Sequence, residues 1–143
     1  MKINPHIVVR DAARATEWYK RVFDATETRR IALPNGKLMA VALTIGQSSV
    51  HLADEFPELG VVSPLTVGGT SVTLTIETTD ADAVWQRALT AGAEVVHPLA
   101  DAFWGERHGI VRDPFGHRWG VAQHLRDIAP ADIARAAAQA FGM

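Results

Sequence analysis

The chain contains no cysteine. Disulfides, thiolate nucleophiles and cysteine-based metal sites are therefore excluded, and a reducing compartment is permitted. Concentrated positive charge is also missing. Lys and Arg number 14 against 16 Asp and Glu, the formal net charge is −2, and no long basic run occurs. Neither nucleic acid nor an anionic membrane is expected as a partner. No hydrophobic stretch approaches the roughly 20 residues that span a bilayer, and the opening Met1-Lys-Ile-Asn-Pro5 lacks the apolar centre of a secretory leader. The expected location is the cytoplasm. Absent too are a Gly-rich phosphate loop, a Gly-x-Ser-x-Gly elbow, a His-Glu-x-x-His pair and an EF-hand loop, and with them the chemistries those motifs carry.

What is present fits one soluble globular domain. At 143 residues, 48% hydrophobic and 21% charged, the chain is long enough to bury roughly two thirds of its unfolded surface. Apolar and β-branched residues at 3–9 predict a strand. Asp11 is placed to cap a helix whose apolar stripe is Ala12, Ala15, Tyr19, Val22 and Phe23. Strands are expected at 26–32, 38–45 and 48–53, with a turn at Pro34-Asn-Gly-Lys37. The second half replays this order. Residues 71–77 alternate as a strand, Thr79 is placed to cap a helix carrying Ala83, Trp85, Ala88 and Leu89, and strands are expected at 94–97, 107–112 and 118–124. The reading is therefore α+β, with module one at 1–55, a linker at 56–69, module two at 70–125 and a tail at 126–143. Pro130 suits the first position of a tail helix, and its Ile133, Ala136, Ala137 and Ala140 face packs either on the body or on a second subunit.

Val111-Arg-Asp-Pro-Phe-Gly-His-Arg-Trp119 reads as strand, tight turn and strand, with Pro114 setting φ at the turn's second position. With Trp18-Tyr-Lys-Arg-Val-Phe23, Leu52-Ala-Asp-Glu55, Ala91-Gly-Ala93 and Trp104-Gly-Glu-Arg107, it resembles the glyoxalase/bleomycin resistance/extradiol dioxygenase (vicinal oxygen chelate) superfamily, in its PhnB-like branch. That resemblance implies two βαβββ modules with curved, mixed, mainly antiparallel sheets enclosing a cup. It also implies a homodimer in which modules of different chains pair.

Metal enzymes of the superfamily carry ligands on the first and last strand of each module. Transferred to this chain, those places fall on Asn4, His51, about Thr73, and Gly120, which has no side chain. A catalytic metal usually needs three donors from His, Asp and Glu, so no metal site is assigned here and no cofactor is expected. The expected function is binding of a small organic molecule in the cup. His6 and His51 are the candidate catalytic residues, because imidazole exchanges protons near neutrality. Asn4, Val8, Leu52, Phe103, Trp104, Arg118 and Ala122 are the candidate substrate-binding residues. Two alternatives stay open: a lyase or dioxygenase dependent on Zn, Mn or Fe, and a metal-free enzyme using His6 or His51 as general base.

Overall fold

The computed structural model describes residues 1–143. Strand β1 (His6–Val9) alternates half-exposed and buried residues. Asp11 then accepts a hydrogen bond from the Arg14 N–H and starts α1 (Ala12–Phe23), which ends where Asp24 turns left-handed at φ 55°, satisfying the helix termini as caps do. Next come β2 (Thr26–Ala32), β3 (Leu38–Ile45) and β4 (Ser48–Asp54). The joining segment contains a 3-10 turn at Pro57–Leu59 and a single-turn helix, α2 (Pro64–Val67). Module two follows as β5 (Thr73–Glu77), α3 (Ala81–Thr90), β6 (Glu94–Asp101), β7 (Glu106–Arg112) and β8 (Arg118–His124), and then α4 (Pro130–Ala140). The sheets run β1-β4-β3-β2 and β5-β8-β7-β6. The β1–β4 and β5–β8 pairs are parallel, and the others are antiparallel.

Two local expectations are corrected. Asp80, not Thr79, caps α3, because its carboxylate reaches the Ala83 N–H. Strand β6 continues past His97 to Asp101 despite Pro98. It lies at the sheet edge, and its register shifts between His97 and Ala100, which is where a residue without an N–H is tolerated.

The two modules share one hydrophobic core. Ile7, Val9, Val41, Leu43 and Leu52 enter it from the first sheet, and Val111, Trp119 and Val121 from the second. Trp18, Tyr19, Val22 and Phe23 of α1 and Val84, Trp85 and Ala88 of α3 fill the space between. Trp119 packs beneath the helix of the other module, its ring 4.6 Å from that of Phe23 in α1. Trp18 Nε1 donates to the Ala91 carbonyl at 2.8 Å, and Arg87 Nε donates to the Val22 carbonyl at 3.0 Å. Both sheets thus commit one face to a common interior. Because side chains alternate along a strand, the remaining faces turn away from it, and helices α1 and α3 pack against each other between the modules.

Asp113 fixes the signature turn to this core. Its carboxylate is buried and accepts from Tyr19 Oη at 2.5 Å, Trp119 Nε1 at 2.9 Å, and the N–H groups of Phe115 and His117 at 2.9 Å each. Asp54 does the same in module one, accepting from the Ala12 N–H at 2.8 Å and the Leu38 N–H at 2.7 Å. Buried carboxylates are stable only when paired in this way. The tail helix α4 buries none of its residues.

Candidate functional site

The uncovered face of the first sheet is one wall of the candidate site. His6 and His51 are direct partners in the parallel β1–β4 register, so both imidazoles lie on this face side by side. Val8 and Ala53 share it. Leu52 does not. It is 0% exposed and belongs to the core, because alternation sends it to the side opposite His51; its expected place in the binding surface is corrected. Asn4 precedes β1, is exposed, and lines a groove of about 840 Å³ between the N-terminal segment, the β3–β4 turn and β5. None of His6, His51, Trp104 and Arg118 borders that groove.

The same register revises the row in which metal ligands would stand. His6, not Asn4, lies beside His51, and Thr75, not Thr73, lies beside Gly120. A Cβ on Gly120 would come within 2.8 Å of Thr75 Oγ1, so the threonine occupies the space a larger side chain would need. No three His, Asp or Glu side chains of the chain gather where they could hold a metal ion. The row where such ligands would stand thus offers two imidazoles and a hydroxyl, short of the donor set a catalytic divalent metal uses, and that row does not fit such a centre.

The uncovered face of the second sheet is the other wall. Trp104 Nε1 donates to Glu106 Oε1 at 2.7 Å. Its ring meets that of Phe103 at 5.0 Å and that of His108 at 5.4 Å, edge to face in both cases, the geometry aromatic rings favour. The loop below is pinned. The Gly105 carbonyl accepts from the Leu125 and Arg126 N–H groups, and a Cβ on Gly105 would lie 2.2 Å from the Arg126 carbonyl oxygen. His108 was not among the residues expected from sequence. Its signal was the alternation that sends Val111 and Gly109 inward and His108 and Ile110 outward. Arg118 is half-buried on this face, with its Nε buried and without a partner. Ala122 is the direct cross-strand neighbour of His108.

Other charged groups have structural roles. Arg107 faces the helix side and pairs with Asp82 and Asp101 at 3.0 Å each. His124 lies 3.1 Å from Asp127 at the exposed strand end. His117 Nε2 lies 2.8 Å from the Val8 carbonyl oxygen and joins the signature turn to β1.

The sequence profile of the Glyoxalase/Bleomycin resistance protein/Dioxygenase superfamily matches residues 3–121, and the chain belongs to that superfamily. It is 45% identical over 134 residues to an uncharacterised protein of Mycobacterium bovis, covering 92% of this chain and 88% of that protein. Among solved structures, TioX from Micromonospora sp. ML1 is 28% identical with a TM-score of 0.67, covering 87% of this chain and 99% of TioX. A PhnB protein from Bacillus cereus has the same fold at 18% identity and a TM-score of 0.64, covering 86% of this chain and 99% of that one. No helix is long and apolar enough to cross a membrane.

Proposed function

We propose that this protein binds a small organic molecule in a cup closed by a second copy of the chain, in the cytoplasm and without a three-donor metal centre. The observation that carries this reading is the shared core. Each sheet gives one face to it, so the His6–His51 wall and the Trp104–Arg118 wall of one chain cannot face each other. A second chain related by a two-fold axis supplies the missing wall to each, forming two equivalent cups. Those walls combine small apolar residues, aromatic rings and a few polar groups, the usual make-up of a ligand site.

The adjacency of His6 and His51 supports a second reading, a metal-free enzyme in which one imidazole takes a substrate proton and the other accepts or relays it. Elemental analysis of untagged protein, incubated with Zn, Mn or Fe and then desalted, tests the first reading. The expected result is metal far below one ion per chain. Stoichiometric metal that disappears in His51→Ala would overturn it. Turnover that survives a chelator and is lost on replacing either histidine would favour the second reading.

A further inference from the structure

Resting on the cup reading, we propose that the guest is an elongated carboxylate. Its flat apolar body lies against Trp104 and His108, and its single charge sits on Arg118.

The cross-strand register fixes the layout of this wall. His108 stands opposite Ala122, Ile110 opposite Gly120, and Arg112 opposite Arg118. From the His108 row to the Arg112 row is four residues, or roughly 13 Å at the rise of a β-strand. One end of that strip is the aromatic edge, where the Trp104 ring is held by Glu106 and meets His108. The middle is a low floor of Ile110, Gly120 and Ala122, with the Thr75 hydroxyl lying over Gly120. The far end carries two guanidinium groups. Arg112 has only an exposed pairing with Glu94 at 3.3 Å, and half-buried Arg118 makes no ion pair or hydrogen bond, its Nε enclosed by the chain and its terminal nitrogens left to meet a guest.

A half-buried guanidinium that makes no hydrogen bond or ion pair is a cation left without a partner, and a carboxylate is the group whose geometry matches its terminal fork. Charge also sets the orientation. Glu77 is level with Ala122 and His108, and Glu106 lies one row beyond. An anion is therefore repelled from the aromatic end and drawn to the arginine end, while the apolar body covers the floor between. A short acid cannot reach both ends.

Calorimetric titration of the wild-type protein with phenylhexanoate, its methyl ester and phenylacetate tests this. The acid is expected to bind at least about tenfold tighter than the ester, the ratio that follows from losing one charge-assisted hydrogen bond, and phenylacetate is expected to bind far more weakly than the longer acid. In Arg118→Ala the acid-to-ester ratio falls to about one while ester binding is retained, which also shows that the variant is folded. Trp104→Ala weakens acid and ester by the same factor. An unchanged acid-to-ester ratio in Arg118→Ala, or phenylacetate binding as tightly as phenylhexanoate, overturns the orientation and leaves the cup reading standing. Failure of both acid and ester to bind the wild type overturns the inference about the guest, while the cup, which rests on the shared core, falls only if the two subunits prove not to share a site.

Discussion

Tyr19 is the only tyrosine in the chain, and it is fully enclosed against the Asp113 carboxylate. Its hydroxyl pKa is pushed well above the usual value, first by burial and then by the charge and hydrogen bond of Asp113. In the unfolded chain the group titrates near pH ~10. A folded pKa above that value means that its contribution to stability is complete below about pH 10 and is lost as pH rises toward the folded value. Tyrosinate absorbance is expected to appear only with unfolding, as one transition shared with loss of the near-ultraviolet circular dichroism of the tryptophans. Tyrosinate forming at its ordinary pH in a native fold would contradict the enclosure. Tyr19→Phe removes one of the donors to Asp113 and is expected to cost about 1–3 kcal/mol in urea denaturation. At this scale the sequence was only partly legible. The Asp113-Pro-Phe-Gly turn could be read from its own residues. The partner of its carboxylate could not, because Tyr19 is 94 positions away. Leu52 was misplaced because cup and core positions alternate residue by residue, so an error of one position exchanges the two faces.

Strands and helices were easier to read, since each carries its own period. The bounds that failed were those set by tertiary context, such as β6 running through Pro98 at a sheet edge. The single-turn helix α2 is another such case. Too short to persist alone, it is held by Glu55 just beyond the end of β4. One carboxylate oxygen of Glu55 accepts from Thr66 Oγ1 at 2.7 Å and from the Ser63 N–H at 3.1 Å, with Arg10 at 3.4 Å from the other. The Glu55 pKa is lowered chiefly by the Thr66 hydrogen bond, with Ser63 and Arg10 adding to the effect against the opposing influence of burial. The unfolded chain therefore binds this proton more readily than the fold does. Glu55 stabilises α2 above about pH 4.3, its unfolded value, and loses that effect as pH falls through the folded one. Hydrogen exchange at the Val67 and Gly68 amides, corrected for intrinsic rates, is expected to lose protection through that acidic range. In Glu55→Gln it is expected to be less protected at neutral pH and nearly flat below. Protection in the wild type that does not change on acidification would detach α2 from Glu55.

For the whole molecule, the paired modules were legible because the second half repeats the order of the first, but the way they face each other was not. An apolar helix stripe shows that a helix is covered without showing which sheet covers it. Here α1 packs against Trp119 of the other module, and this contact turns the two candidate walls outward. If a second copy closes each cup, module one of one chain and module two of the other form a single site. The His51→Ala and Arg118→Ala variants then damage opposite walls. A mixed dimer of the two contains one cup with both lesions and one with neither. Random exchange of subunits makes half of the dimers mixed, so roughly a quarter of all cups should regain wild-type affinity for phenylhexanoate although neither parent has it. The measurement is calorimetric stoichiometry before and after co-refolding equal amounts of the two proteins. Recovery near a quarter requires walls from different chains. No recovery, with both parents folded and dimeric, would mean that each chain builds its site alone, and the outward-facing sheets would then need a different occupant.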